Sequence, residues 1–212
     1  MEPESAEAFH ARVSASTDAE GRLPVAVEEM PGWFIYPYEL DSLRIKPLEP
    51  LADAEPPREG EEPAECWCAS ASMPPWANQW VWRNERWVLT LAGESGAPIQ
   101  MNLIPRTVHC DLTTVPDDLA AEMGRLVVAI SAAAEELPSV GRVFVLKIGD
   151  GAAHLHWFFF GRPARALQFR GSPFLDWEEN LPRVPLDVHR ANATAVAARL
   201  VATLGGEGPS WA

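Results

Sequence analysis

The stretch Gly149-Asp150-Gly151-Ala152-Ala153-His154-Leu155-His156-Trp157-Phe158-Phe159-Phe160 sets two histidines, one residue apart, into an apolar run behind a glycine-rich turn. Val143-Phe144-Val145-Leu146-Lys147-Ile148 precedes it, so the region reads as two strands around Gly149-Asp150-Gly151, the second running from Ala153 to Phe160. Side chains alternate faces along a strand. His154, His156, Phe158 and Phe160 therefore share one face, and Leu155, Trp157 and Phe159 share the other. Two imidazoles pointing the same way mark a candidate site, whereas a lone histidine in such a strand is usually structural.

Upstream, Leu119, Met123, Leu126, Val127, Ile130, Ala134 and Leu137 recur at helical spacing and predict one long amphipathic helix that stops at Pro138. Thr113 or Thr114 is the expected cap, with Pro116 in the first turn and Asp117 and Asp118 complementing the helix dipole. Before it, Trp80-Val81-Trp82, Trp87 to Leu91 and Ile99 to Ile104 read as three strands joined by hairpins. The order is three strands, a helix and two strands, which makes the chain α+β.

Three cysteines, two of them in Cys66-Trp67-Cys68, do not make a disulfide framework. Zinc takes four soft or borderline ligands from a rigid scaffold, and Cys66, Cys68, His109 and His154 can supply such a set. Cys110 offers an alternative sulfur, and two packed thiols account for the same pair without a metal.

The flanks differ from this middle part. The formal net charge of the 212-residue chain is −13, and residues 1–62 hold 15 of its acids against 5 bases. Residues 1–64 read as an acidic, Pro-rich extension and linker, residues 65–169 as the main domain, and residues 170–212 as a C-terminal extension. Gly32 to Tyr38 can form a strand or pack over the domain, and the rest of the acidic segment reads as a solvated tail. A helix from about Val188 to Leu204, capped by Asp187 and ended by Gly205-Gly206, is expected in the last part. No basic patch outweighs the acidity, which argues against nucleic acid and against an anionic membrane surface. No apolar run reaches the roughly 18–20 residues of a membrane span, and the acidic start is unlike a secretory signal, so the expected location is cytoplasmic.

Trp82-Arg83-Asn84-Glu85-Arg86-Trp87-Val88-Leu89, Leu103-Ile104-Pro105-Arg106, His109-Cys110-Asp111-Leu112, the long helix and Gly149 to Trp157, taken in that order, resemble the histidine triad family of nucleotide hydrolases and transferases. The resemblance covers roughly Cys66 to Arg162. It implies an antiparallel sheet packed on the long helix, often in a homodimer. It also implies a nucleophilic histidine that attacks the α-phosphate of a nucleotide, and the matching position is His156. In relatives with a zinc site, the matching ligands are Cys66, Cys68, His109 and His154. The partner implied is a nucleotide or other phosphorylated small molecule, and the candidate groups to hold it are Gly149, Gly151 and Arg162.

The departures from the pattern are specific. The third histidine of the triad is Phe158 here, which removes a phosphate contact and a proton carrier. The acidic residue that usually holds the ribose falls at Ala92, and the family's Pro-x-His becomes Pro98-Ile99-Gln100. Two readings follow. One is a divergent enzyme acting through a phosphohistidine at His156; the other is a repurposed binding protein stabilised by zinc. The tryptophans crowded between Trp67 and Trp87 read as core packing rather than as an interface.

Overall fold

The structure, a computed structural model, describes residues 2–23, 54–69, 79–171 and 174–212. The expected strand at Gly32 to Tyr38, and Trp76, lie outside the described residues.

The expected strands assemble into one antiparallel sheet. Its members are β1 (Trp80–Arg83), β2 (Trp87–Leu91), β3 (Gln100–Pro105), β4 (Val140–Leu146) and β5 (Trp157–Pro163), in the spatial order β1-β2-β3-β5-β4. The β1–β2 turn is fixed by Asn84, whose Oδ1 accepts from the backbone N–H groups of Arg86 and Trp87 at 2.9 and 2.7 Å. Strand β5 begins later than the sequence suggests. His154, Leu155 and His156 lie just before it, in an extended segment whose Leu155 N–H donates to the Cys110 carbonyl at 2.7 Å rather than to a ladder.

Strand parity then sorts the side chains. Leu89, Met101, Leu103, Leu155 and Phe159 face α2 (Asp117–Glu135), which contributes Leu119, Leu126, Ile130 and Ala134 to the larger apolar core. Burial of each such side chain stabilises the fold by roughly 1.5–3 kcal/mol. The α2 cap differs from expectation: Pro116 occupies the cap position without a side-chain bond. Thr114 instead closes a turn with Asp111, and Thr113 lies in the same turn. Asp117 and Asp118 do lie in the first turn.

Both flanks fold back on this core. Helix α1 (Ala6–Ser14) buries Phe9 in a second apolar cluster with Phe160, Phe169 and Phe174, on the sheet face opposite α2. The acidic segment is therefore not wholly a solvated tail: its first part is a docked helix. Phe174 belongs to α3 (Phe174–Asn180), whose buried Glu178 accepts from Ser95 Oγ and the Gly96 N–H at 2.7 and 2.6 Å and so anchors the β2–β3 connection.

Helix α4 (Leu186–Leu204) packs Ala193, Val196 and Leu200 into the α2 core. Pro185 is its cap residue, and Asp187, the expected cap, lies within its first turn. Its C-terminal Gly205 takes φ 73°, and the following backbone bridges Arg83 to Glu207 and so covers the β1 edge. Gly206 (φ 87°) is required there, since a Cβ would lie 2.6 Å from the Arg83 carbonyl. Strand β4 forms the other edge of the sheet. No described helix is long and apolar enough to cross a membrane.

Two buried polar residues of α4 hold the termini to the sheet. Asn192 bridges the Pro98 carbonyl and the Glu4 N–H, and His189 Nε2 accepts from the Gln100 N–H at 3.1 Å. Burial, helped by nearby Arg12, pushes the His189 pKa down to about 4. The unfolded chain therefore binds more protons than the folded one between about pH 6.5 and 4, and this contribution is complete above that window and lost as pH falls through it. Denaturant melts of the wild type should lose up to about 3 kcal/mol from this source across the window. His189→Gln should give a flatter profile, and parallel profiles would contradict the assignment.

Candidate metal centre and pocket

Four of the sequence-derived site residues converge. The ligating atoms of Cys66, Cys68, His109 and His154 all lie within 4.8 Å of one another. They come from three separate segments. Cys66 directly precedes a short 3-10 turn (Trp67–Ala69) that contains Cys68, His109 follows β3, and His154 precedes β5. The Leu155–Cys110 backbone bond draws the second and third segments together. The sequence left Cys110 open as an alternative sulfur; its side chain is buried in the apolar core and is not one of the four.

The set fits zinc on three observations. Cys66 Sγ is 3.5 Å from His154 Nδ1, Cys68 Sγ is 3.4 Å from His109 Nδ1, and the two sulfurs are 3.1 Å apart. A tetrahedral zinc with bonds of roughly 2.0–2.3 Å needs ligand–ligand edges of about 3.3–3.8 Å, so little movement is required. Second, His154 Nε2 is 2.9 Å from the Pro105 carbonyl. That carbonyl can only accept, so the proton is on Nε2 and the Nδ1 lone pair faces the sulfurs, as a metal-binding imidazole requires. Burial also lowers the His154 pKa and keeps the ring neutral. Third, burial pushes the Cys68 thiol up to about 12, and Cys66 beside it adds to the shift. Neighbouring thiolates repel each other in such a place unless a cation shares the site.

His156 stands beside this centre without joining it. Its Nδ1 is 2.8 Å from the His154 carbonyl, so Nδ1–H donates there and Nε2 keeps a free lone pair. It lines a cavity of about 270 Å³ with His154, Cys66, Trp67, Asn102, Ile104, Phe158, Ala152, Glu59 and Gly60. Phe158 meets the His156 ring edge to face, with centroids 4.9 Å apart. Trp67 lies against His154 with centroids 4.7 Å apart. Phe160, on the same strand face, lies 6.1 Å from Phe158 between ring centroids and belongs to the second apolar cluster that holds α1.

The other expected binding residues are placed elsewhere. Arg162 lies six residues along β5 from His156, a distance of roughly 20 Å in a strand. Its guanidinium is buried and donates to the Pro163 and Ala166 carbonyls at 2.8 and 3.4 Å, so it is not brought to the cavity. Gly149 and Gly151 sit beside the cavity rather than in its lining. The Gly149 carbonyl accepts from Arg58, and the Gly151 carbonyl accepts from the Glu59 N–H.

The sequence reading missed a strap. Residues 58–60 cross the glycine turn through a parallel bridge between Glu59 and Ala152, with Ala153 N–H donating to the Glu59 carbonyl at 3.0 Å. Arg58 and Lys147 clamp Asp111 at 2.7 and 2.6 Å. Burial opposes ionisation there, yet bonds from Lys147 and Arg58 hold the Asp111 carboxyl down at about 2. This part of the linker is therefore ordered over the site, where composition had suggested solvation. The missed lining residues Asn102 and Ile104 had a signal in the sequence, since they alternate with Met101 and Leu103 along β3.

Among solved structures, the chain is similar to a Zn-bound histidine triad family protein from Mycobacterium smegmatis, with 22% identity and a TM-score of 0.45 over 64% of this chain and 95% of that one. It is similar to a Hit-like protein involved in cell-cycle regulation from Bartonella henselae, with 16% identity and a TM-score of 0.44 over 57% of this chain and 85% of that one. A uridylyltransferase mutant matches with 17% identity and a TM-score of 0.40, over 60% of this chain and 44% of that one. No family model matches the chain, and no curated protein matches it. The α+β fold of the chain rests on its own five-stranded antiparallel sheet and helices.

Cys66→Ser tests the metal set directly. Protein purified without chelator should carry about one zinc per chain, and the variant should lose it together with several kcal/mol of stability. Equal metal content and equal melting behaviour in both would contradict the assignment.

Proposed function

We propose that this chain is a zinc-stabilised, histidine-triad-like nucleotide-processing protein that acts through a phosphohistidine at His156. The observation that carries the reading is the 2.8 Å contact of His156 Nδ1 with the His154 carbonyl, which assigns the proton of the neutral ring to Nδ1 and leaves the lone pair to Nε2, on a side chain that lines the cavity. An attacking imidazole needs that lone pair and gains from a carbonyl that stabilises charge developing on the ring.

Cys66, Cys68, His109 and His154 would hold a zinc ion, which would supply rigidity and favour the thiolate form of both cysteines. With two thiolate and two imidazole ligands, such a centre would add no net charge beside the substrate. Nε2 of His156 attacks phosphorus, and the leaving group departs with its bonding electrons. Water then attacks phosphorus and displaces Nε2.

Phe158 cannot protonate a leaving group. Substrates whose leaving group departs as a stable anion, such as dinucleoside polyphosphates and nucleotide sugars, should therefore be turned over ahead of phosphoramidates. A homodimer, which the resemblance implies, has the β4 edge at which to form, since β1 is covered by the C-terminal backbone.

One observation favours a second reading. Among the described residues, the cavity lining includes no Lys or Arg, and Phe158 occupies a wall where phosphate would sit. That composition suits a repurposed binding protein whose ligand carries less charge.

Turnover of phosphoramidates, dinucleoside polyphosphates and nucleotide sugars by zinc-loaded protein separates the two. Hydrolysis that falls at least a thousandfold in His156→Ala, with zinc content unchanged, is the expected result. Absence of turnover in folded, zinc-loaded wild type would overturn the catalytic reading in favour of the second.

A further inference from the structure

The residue directly across the sheet from Phe158 is Asn102. The β3–β5 register pairs the two, so their side chains stand next to each other on the face that carries His156, and both line the cavity. Apart from the histidines, Trp67 and Cys66, Asn102 is the one uncharged polar side chain among the described lining residues. Arg58 and Lys147, the nearby cations, are both committed to Asp111.

The orientation of the Asn102 amide is informative. Its Oδ1 is buried and takes no hydrogen bond, while the residue as a whole is only half-buried. An amide with its oxygen tucked against the sheet has its NH2 as the end available to the cavity. The reverse orientation would bury an unpartnered donor, which proteins tolerate less well than an under-satisfied oxygen. Neutral side-chain amides aimed at developing negative charge are effective in water-poor sites.

We propose that Asn102 is a substrate-binding residue that donates Nδ2–H to an oxygen of the group held at His156, and so supplies from β3 the hydrogen bond that Phe158 cannot supply from β5. The proposal rests on the reading of the cavity as a nucleotide site. It assigns recognition of the bound oxyanion to a neutral donor rather than to an arginine or lysine.

The test uses AMP as the probe, with full-length zinc-loaded protein and binding followed by calorimetry, so that it needs no turnover. The variants are Asn102→Leu, which removes the donor, and Asn102→Asp, which keeps the size and replaces the donor with a negative acceptor. Wild type should bind AMP; Asn102→Leu should bind about tenfold more weakly, and Asn102→Asp more weakly still, with zinc content and melting temperature unchanged. A purely structural role would not place the isosteric Asp below Leu. Equal AMP affinity in wild type and Asn102→Leu, or no AMP binding by the wild type, would overturn the proposal. Asn102-dependent AMP binding in a protein that turns nothing over would sink catalysis at His156 and leave the role of Asn102 standing.

Discussion

Two cysteine sulfurs 3.1 Å apart, one buried and one half-buried, would repel each other as thiolates without a cation between them, and the rest of the proposed site depends on that constraint. The cysteines belong to the segment before the sheet, His109 to the exit of β3 and His154 to the entry of β5. On this account a metal joins three stretches that the backbone alone ties loosely, by the Leu155–Cys110 bond and the strap bridge. It sets the place of His154, whose carbonyl in turn sets the tautomer of His156. The nitrogen of His156 proposed to attack would thus be positioned through the proposed metal ligand that precedes it by two residues.

The strap works from the other side. Arg58 reaches both Asp111 and the Gly149 carbonyl, so one guanidinium pins the linker to the segment after His109 and to the glycine turn. A Cβ at Gly149 would meet Lys147 Nζ, so a side chain there would displace the ammonium that holds Asp111. Gly60 similarly leaves room for Cys66, whose Sγ would lie 3.4 Å from an added Cβ. The acidic segment therefore contributes a wall to the cavity, and its first helix closes the far end of the same sheet face through Phe9.

Periodicity made the sheet and the long helix legible in the sequence, because Leu119 to Leu137 and the Trp-rich strands carry their burial pattern locally. The metal set was legible as residue types, with Cys110 left open as an alternative; three-dimensional placement removed it, since that side chain points into the apolar core. For Arg162, parity along β5 puts it on the face of His156 but says nothing of the six residues of strand between them. The strap and α1 were hidden by composition. Proline and acid counts describe average solvation, whereas Phe9 and Arg58 act through single contacts with distant residues. Asn102 was passed over for a related reason: its neighbour Phe158 is 56 positions away and becomes visible only when the β3–β5 register is known.

X-ray absorption at the zinc edge on the purified full-length protein reads the proposed centre itself. Ligation by Cys66, Cys68, His109 and His154 should give a four-coordinate site with two sulfur scatterers at about 2.3 Å and two nitrogen scatterers at about 2.0–2.1 Å. A folded protein that carries no zinc, or one whose metal shows only oxygen and nitrogen neighbours, would contradict it.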